Sequence, residues 1–474
     1  MFPRFKPIKV SSFNYLPDHT LDSDLVRRLK AALEEGDKNA VIQLIQAETK
    51  HVNATIELAN SDWMKDPRAQ LEPLVVIGDL FYLRILIGKY YQDVDVVFEI
   101  IRNELEWQAG QPAAFGSAGL WSLEYKREIT SPLCITAKYG YVDCLLYLLQ
   151  RRADPNAAPG GKSPLHEACI EDHTDCVKLL LEYRANPNIL SDDGLAPLHL
   201  CTTKQSYQCA KLLIKYGALI NQPSEETEDT PLHIAVKHGL HEHVLLYLRY
   251  SASVDSMNNN EETPLNMACG NTKELEHQEN YLKVCKLLLA HGANVNIQDR
   301  EKKSPLHKAC KNANHCLVQW LLENQADVNA IDYNGASPMS CVLQTAAFKQ
   351  DLMPHLNVQS LLNHGSHRIW PGAFVKVLAS CAAVPKIIEI LINSYEHIRI
   401  SENWVDVLPE DVFQMHFPFY ESLFTLSSRR CLQHLCRCAI RKQFANQCHH
   451  LIPLLPIPKY LQKYLLLEPE GLMF

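Results

Sequence analysis

A short unit recurs seven times through the middle of the chain at a nearly constant interval, and this repetition limits the possible folds more than any other feature. Each copy consists of Ser, Thr or Ala, then Pro, then Leu or Met, and successive copies lie 32, 33, 34, 33, 41 and 33 residues apart. The copies begin at Ser131, Ser163, Ala196, Thr230, Thr263, Ser304 and Ser337. A second marker keeps the same register at Asn156, Asn188, Asn221, Asp255, Asn296 and Asn329. Because two independent markers agree, the sequence predicts stacked copies of one supersecondary unit.

Each unit carries the signals of two short helices. Ser or Thr accepts a hydrogen bond at a helix N-terminus, and Pro is favoured at the first helical position because its missing N–H leaves no bond unmade. The second helix is strongly apolar, as in residues 177–181 (Val-Lys-Leu-Leu-Leu), so one unit cannot cover its own apolar surface. A period of 33 with a Thr-Pro-Leu-His pattern resembles the ankyrin repeat. The resemblance implies an all-α fold with short β-hairpin tips, built as an ankyrin-repeat solenoid.

Two further repeat positions have predictable roles. Histidine opens the first helix in four copies, where we expect it to bond backbone groups of its own and the adjacent repeat; the copies lie too far apart to share a metal ion. The residue after the second helix should be left-handed, which costs a non-Gly residue about 1 kcal/mol. The histidines are His166, His199, His233 and His307, and the left-handed positions are Arg152, Arg184, Gly217, Ser251, Gly292 and Gln325.

The N-terminal region, residues 1–115, is predicted to be a degenerate helical, ankyrin-like cap. Residues 29–45 and 74–86 each predict a helix, a Gly turn and a second helix, and the Gly/Ala-rich stretch 107–120 predicts a loop.

Residues 116–400 contain the ankyrin repeats, including one more helix pair at 370–395. Extra residues occur near 271–280, where they either bind a partner or form a tolerated surface loop. Residues 401–427 predict a packed connector, because this stretch is too aromatic for a free linker. Residues 428–474 form a C-terminal module.

Composition excludes several functions. The 474 residues carry a net charge of −8 without a strongly basic block, which argues against nucleic-acid binding. The apolar stretch 75–87 is too short to span a membrane and contains Asp79 and Arg84, and residues 1–7 lack the apolar core of a secretion signal. The 16 cysteines lie mostly within apolar helical runs and form no secreted-type framework. We therefore expect a cytoplasmic protein with access to the nucleus.

The sequence contains no convincing catalytic constellation. It has no Gly-rich phosphate-binding loop, and no cysteine is accompanied by a base, so we expect no enzymatic activity and no cofactor. A zinc site is conceivable at Cys436, Cys438, Cys448, His449 and His450. Their spacing matches no closed structural zinc site, so we expect no metal.

Two linked patterns lie near the C-terminus. Leu432, Cys436 and Ile440 recur at every fourth residue and therefore share one face of a helix. Residues 455–458, Leu-Pro-Ile-Pro, are a rigid segment that cannot continue a helix. Together with the repeats, these patterns resemble the ankyrin-repeat and SOCS-box family over nearly the whole chain. Cys431 departs from the family's elongin motif, which prefers Ser, Thr, Ala or Pro there, but cysteine is also small.

The resemblance implies a substrate-recognition subunit of a ubiquitin ligase whose C-terminus is a small three-helix SOCS box. An elongin-binding helix would insert into elongin C, with elongin B alongside, through Leu432, Cys436 and Ile440. A second contact would recruit cullin-5 and its RING protein through Leu455, Pro456, Ile457 and Pro458. The chain would act only by holding a substrate protein near the transfer machinery.

The substrate would contact the hairpin tips and first helices on the concave face of the array. The candidates are Asp192, Asp193, Glu225, Glu226, Glu228, Asp229, Arg300, Lys302 and Tyr333. The acidic run 225–229 indicates a basic partner, although charge runs are also typical of solvated loops. A non-ligase ankyrin scaffold or adaptor is the alternative function, and recovery of elongins B and C from cell extract would discriminate the two.

Overall fold

The structure is a computed structural model. It describes residues 19–20, 22–35, 37, 40, 43–44, 47, 55–57, 83–84, 94–109, 120–271, 278–398, 400, 404–425 and 431–471. The chain divides into two compact units, Met1–Glu167 and Ala168–Phe474.

The first unit contains a three-stranded antiparallel sheet that the sequence analysis did not predict. Its strands are β1 (Thr55–Glu57), β2 (Phe98–Ala109) and β3 (Leu120–Thr130), in the order β1-β3-β2. Strand β2 pairs with β3 from Phe98↔Thr130 to Ala109↔Trp121, with an irregularity between Ile101 and Leu105. The loop predicted at 107–120 is therefore wrong at both its ends, and 110–119 lies outside the described residues. Apolar and polar residues alternate at 105–108, which is the period of a strand.

Helices account for the rest of the first unit. They are α1 (Asp24–Glu34), α2 (Pro132–Lys138), α3 (Val142–Gln150) and the start of α4 (Pro164–Ile170). Helix α1 agrees with the first helix predicted in 29–45. The Gly turn at Gly36 and nearly all of 74–86 lie outside the described residues.

The second unit is an array of helix pairs. Its helices are α5 (Thr174–Glu182), α6 (Tyr207–Lys215), α7 (Pro231–Lys237), α8 (His241–Arg249), α9 (Pro264–Gly270), α10 (Gln278–Ala290), α11 (Pro305–Lys311), α12 (His315–Glu323), α13 (Pro338–Thr345), α14 (Pro354–Asn363), α15 (Phe374–Cys381) and α16 (Pro385–Asn393). The core between them is built from fully buried Leu, Val and Cys side chains, such as Leu180, Leu213 and Leu288.

His199, His233 and His307 bond backbone groups of their own and the next repeat, which confirms the prediction for these three. The Nδ1 atom of His233 accepts the backbone N–H of Thr230 at 3.1 Å, and its Nε2 lies 3.0 Å from the carbonyl of Glu262 in the following repeat. His307 makes the same pair of bonds to Ser304 and Ala336. A ring nitrogen that carries a proton cannot accept a hydrogen bond. Nδ1 is therefore unprotonated, and the ring is the neutral Nε2–H tautomer. Burial also favours the neutral ring, because it lowers the pKa of both His233 and His307.

The Asn marker has a structural role of the same kind. The side chain of Asn296 accepts the backbone N–H of Asp327 at 2.8 Å and donates to the carbonyl of Gln325 at 3.2 Å. Asn329 repeats this bridge to His367 and Gly365. Asn296 and Asn329 therefore each join their own repeat to the left-handed turn of the next repeat. The predicted left-handed residues all have positive φ.

The insertions are only partly described. Helix α10 begins at Gln278, and residues 272–277 of the predicted insertion lie outside the described residues. Two 3-10 turns, Ala346–Phe348 and Gln350–Leu352, lie between α13 and α14, where this repeat is longer than its neighbours.

A short aromatic segment and a small helical module complete the chain. Helices α17 (Glu410–Met415) and α18 (Phe417–Phe424) pack through buried Phe419 and Tyr420, and the Tyr420 hydroxyl donates to the Ala382 carbonyl at 2.6 Å. The module contains α19 (Leu432–Phe444), α20 (Cys448–Leu451) and α21 (Lys459–Leu465). The predicted class, a helical repeat solenoid with a small three-helix C-terminal module, is confirmed, with the N-terminal sheet as an addition.

Candidate partner-binding surfaces

Helix α19 exposes a row of apolar residues on one face and buries several polar residues on the opposite face. Its buried residues are His434, Arg437, Cys438 and Arg441. On the opposite face Leu432 is 77% exposed, and Cys436 and Ala439 are also exposed. Residues at positions i, i+4 and i+7 form one helical stripe, which we call the apolar stripe (Leu432, Cys436 and Ala439). A stripe of this kind favours docking of the helix into a partner's groove.

Arg441 anchors the buried face of α19 to the last repeats. Its Nη1 donates to Asn363 Oδ1 at 2.6 Å and to the Leu465 carbonyl at 2.8 Å, and its Nη2 donates to the Leu362 carbonyl at 3.2 Å. Burial lowers the pKa of Arg441 to about 10, so the guanidinium remains charged at neutral pH. These bonds join α14, α19 and α21 at one point.

Three further buried polar residues, His434, Arg437 and Glu389, hold the module in place. His434 Nε2 lies 2.8 Å from the Tyr395 carbonyl, while Arg437 Nη2 donates to His434 Nδ1 at 2.8 Å. Since arginine has only donors, His434 is the neutral Nε2–H tautomer. The Glu389 carboxylate of α16 accepts the backbone N–H groups of Glu470 and Gly471. The module is therefore fixed to the repeats with its apolar stripe facing outward.

Ile440 does not continue the apolar stripe fully. It is half-buried and packs, with Phe444, against a small core of Cys448, Ile452 and Leu465. The sequence analysis placed Ile440 on the same face as Leu432 and Cys436. Eight residues of a straight helix make two full turns plus about 80°, so Ile440 points about 80° away from Leu432 around the helix axis. Ile440 therefore lies at the edge of the apolar stripe.

The Leu-Pro-Ile-Pro segment is half-buried on alternate residues. Leu455 and Ile457 pack against the same small core, whereas Pro456 and Pro458 are exposed. The segment is held by the Ile457 N–H, which donates to the Leu455 carbonyl at 2.8 Å, and by Gln462 Nε2, which donates to that carbonyl at 3.0 Å. It is an ordered ridge that presents two prolines.

Two exposed apolar residues flank this ridge and escaped the sequence analysis. Leu454 directly precedes it and Tyr460 follows it by two residues, and both side chains are 68% exposed. The available signal was their apolar character beside a Pro-containing turn, where no helical or strand periodicity requires burial.

The repeat tips form a continuous ladder in the second unit. Each predicted tip is closed by a backbone bond, for example from Ser224 N–H to the Asp229 carbonyl at 3.0 Å. Neighbouring tips are joined in turn, because Glu225 donates to Gly194, Asn259 to Thr227, Arg300 to Asn260 and Tyr333 to Glu301, at 2.9 to 3.1 Å. The exposed side chains change along this ladder from acidic to basic and aromatic. The acidic end contains Asp192, Asp193, Glu225, Glu226 and Glu228, and the other end contains Arg300, Lys302 and Tyr333.

Asp229 differs from the other tip residues and is not a surface contact. It is only 6% exposed; its Oδ1 accepts from Asn258 Nδ2 at 2.8 Å and its Oδ2 accepts from the Thr227 hydroxyl at 2.9 Å. Asp229 thus joins two neighbouring tips, and its carboxylate has no face left for a substrate.

A groove of about 660 Å³ lies between the tips and the first helices of the middle repeats. Its carboxylates are already engaged, for example Asp299 with Lys308 Nζ at 2.8 Å and Glu301 with Lys303. Lys237, Arg300 and Lys311 also line the groove and form no ion pair with a described residue. Among the described lining residues, five cationic side chains therefore face four carboxylates, a surplus of one positive charge.

Metal and membrane sites find no support in the described ranges. Within them, no three Cys, His, Asp or Glu side chains converge to hold a metal ion, and Cys436 points away from Cys448, whose thiol donates to the Arg441 carbonyl. Among the helices of the described part, none has the length and apolar character needed to cross a bilayer.

Comparison with known proteins agrees with this architecture. The family model for ankyrin repeats matches residues 133–224, 219–299 and 274–366, and the SOCS box model matches 428–466. A repeat array joined to a SOCS box defines an adaptor of the substrate-receptor type used by cullin–RING ligases.

Similar proteins narrow the assignment. The chain is 53% identical to human "Ankyrin repeat and SOCS box protein 18" over 98% of this chain and 100% of that protein. It is 37% identical to mouse "Ankyrin repeat and SOCS box protein 16" over 83% of this chain and 84% of that protein. A crystal structure of the human ASB11 ankyrin repeat domain covers 47% of this chain and 97% of its own, at 27% identity and a TM-score of 0.41. The chain belongs to the ankyrin repeat and SOCS box family.

Proposed function

We propose that this protein is the substrate-recognition subunit of an elongin B/C–cullin-5–RING ubiquitin ligase. The observation that carries the proposal is the apolar stripe, which remains in solvent on a helix whose opposite face buries His434, Arg437 and Arg441. Exposure of this stripe has an energetic cost in the free chain that a partner's groove would remove. Elongin C provides that groove, with elongin B alongside.

The ridge at 455–458 is the second contact. Its exposed Pro456 and Pro458, flanked by Leu454 and Tyr460, select cullin-5 with its RING protein. Leu455 and Ile457 hold the ridge in position by packing against the small core. The chain contributes no chemistry to ubiquitin transfer; it raises the effective concentration of a substrate lysine near the charged ubiquitin carrier.

The substrate protein binds along the tip ladder and the adjoining groove. The acidic end of the ladder favours a basic segment of the substrate, and Lys237, Arg300 and Lys311 favour an acidic segment. Tyr333 is 71% exposed and lies with its ring 6.0 Å from Lys302 Nζ, which makes it the natural aromatic anchor of this surface.

Cysteine chemistry supports a cytoplasmic location for this function. All 16 cysteines are free thiols, and only Cys316, Cys431 and Cys436 are exposed. Burial raises the pKa of Cys134, Cys176 and Cys381 to about 11, so these thiols remain neutral and serve as small apolar core residues.

Recovery of partners from cell extract tests the proposal. Leu432→Ala combined with Cys436→Ala should abolish recovery of elongins B and C and, with them, of cullin-5. Leu455→Ala combined with Pro456→Ala should spare elongin and weaken cullin-5. A control with Glu226→Ala and Arg300→Ala changes the ladder and should retain both partners. Elongin recovery that survives the first pair would contradict the proposal and favour the scaffold alternative.

A further inference from the structure

A cavity of about 280 Å³ lies at the junction between the last repeats and the SOCS box. One wall comes from the turn after α14 and the end of α16, and the other from the end of α19 and the turn into α20. Its polar lining residues are Ser366, Arg368, Ser394, Arg441, Lys442 and Asn446. The cavity belongs neither to the tip ladder nor to the apolar stripe.

Positive charge in this cavity is not compensated. Arg368, Arg441 and Lys442 line it, and no Asp or Glu appears among the described lining residues. Arg441 is 8% exposed, and all three of its hydrogen-bond acceptors are neutral: one amide and two carbonyl oxygens. A buried cation in a protein is normally paired with an anion.

None of the described lining residues supplies an anion to the cavity. Cys448 is the one acidic side chain in the described lining, and burial raises the pKa of its thiol, which therefore stays neutral. Arg368 lies 5.8 Å from the ring of Tyr395 and forms no ion pair with a described residue. Lys442 is exposed and likewise has no ion-pair partner within the described ranges.

The backbone around the cavity is built for close approach. Gly365 has φ +89°, and an added Cβ there would lie 2.6 Å from Asn446 Cβ. Ala445 has φ 49° and ψ −115°, a conformation that a non-Gly residue adopts at a cost of about 1–3 kcal/mol. The close approach brings Asn446 against the repeat wall at Gly365.

We propose that this cavity binds a phosphate-class oxyanion, either free phosphate or the phosphate group of a small molecule. Two guanidinium groups, an ammonium group and the Asn446 amide line the cavity together, whereas the Ser366 and Ser394 hydroxyls already donate to backbone carbonyls. This set of donors suits an anion with several oxygens, which arginine binds more strongly than a neutral acceptor. A bound anion bridges the repeat wall and the SOCS-box wall and stabilises the junction. The inference does not depend on elongin or cullin binding.

Thermal unfolding of the full-length chain tests the inference. Inorganic phosphate is added at an ionic strength held constant with sodium chloride, and tripolyphosphate is used in a second series. We expect the midpoint to rise by roughly 5 °C at a phosphate concentration about a hundred-fold above its dissociation constant. A stronger effect of tripolyphosphate at equal concentration would identify a polyphosphorylated small molecule as the better ligand, and an equal or weaker effect would identify free phosphate.

Matched double variants separate the site from a general salt effect, because phosphate also strengthens burial non-specifically. Arg368→Gln with Lys442→Gln removes two exposed cations from the cavity, and Lys178→Gln with Lys376→Gln removes two exposed cations elsewhere in the second unit. The first pair should lose the phosphate-specific shift and the second should keep it. Calorimetric titration of phosphate into each variant provides a readout that does not depend on stability. An equal response of both pairs, or no response of the unsubstituted chain, would overturn the inference.

Discussion

Leu432→Ala separates partner binding from folding, because the side chain is 77% exposed in the free chain. Full burial of a leucine contributes about 1.5–3 kcal/mol, of which roughly three quarters is still available to a partner. Truncation also leaves a cavity in the partner's pocket, which adds to the loss. Together these terms predict that elongin binding weakens by about 2–3 kcal/mol, or roughly 30- to 150-fold in dissociation constant.

We expect Leu432→Ala to leave the free energy of unfolding almost unchanged. Substitution of an exposed side chain outside special backbone positions usually alters the free energy of unfolding by less than about 0.5 kcal/mol. Leu219, which is 58% exposed on the repeat array, offers a matched control, since Leu219→Ala should change neither property. Leu465→Ala provides the opposite control: Leu465 is 5% exposed in the small core, and its truncation should cost about 2–5 kcal/mol of stability.

Calorimetric titration of purified elongin B/C complex into each variant, together with urea unfolding of the free chain, measures both quantities. A dissociation constant for Leu432→Ala within twofold of the unsubstituted chain would refute the assignment of the apolar stripe. A large loss of stability for the same variant would show that Leu432 packs against its own chain instead.

Three further predictions concern the groups that position these surfaces. Asn363→Leu removes the 2.6 Å acceptor of Arg441 and should lower the free energy of unfolding by about 1.5–3 kcal/mol; unchanged urea unfolding would contradict the anchoring role. Burial lowers the pKa of His243 to about 4 from 6.5. As pH falls from 6.5 toward 4, the unfolded chain therefore takes up a proton that the folded chain does not, and stability drops by about 2 kcal/mol between pH 7 and pH 5. In His243→Gln the loss over this interval should be smaller, and an equal loss would show that other groups account for it. Asp229→Ala should lower the free energy of unfolding by about 1–3 kcal/mol because it removes the hydrogen bond between two neighbouring tips. Glu226→Ala should change the free energy of unfolding by less than about 0.5 kcal/mol, and equal effects of the two substitutions would argue against the buried role of Asp229.

Local chemistry made the repeats predictable from the sequence. Ser131, Thr263 and Ser337 cap their helices as expected, because the cap needs only one side-chain oxygen and an N–H three residues on. Positive φ at Arg184 and Gln325 follows in the same way from the position of the helix end.

The orientation of α19 could not be predicted from local pattern alone. Arg437 and Arg441 would ordinarily be assigned to solvent. Three hydrogen-bond acceptors offset part of the desolvation cost of burying Arg441, and they belong to Asn363, Leu362 and Leu465. Those acceptors lie 24 to 79 residues away in the chain, so no helical periodicity reports them.

The N-terminal sheet shows the opposite case. Its sequence contains the alternating pattern of a strand, but the prediction for this region was helical. Residues 105–108 alternate between apolar and polar, as do 123–126 on the paired strand β3. The expectation of a degenerate helical cap rests on the Gly-centred segments before this region; the predicted loop covers only 107–120, and residues 123–126 fall in the predicted repeat region.

Accessibility of the Cys436 thiol tests the central claim most directly. The full-length chain is alkylated with N-ethylmaleimide, with and without elongin B/C complex, and modification is followed residue by residue by mass spectrometry. Cys316 is exposed on the repeat array and serves as the internal reference. We expect both thiols to react in the free chain and only Cys436 to be protected by elongin. A Cys436 that is unreactive in the free chain, or equally reactive in the presence of elongin, would contradict the account.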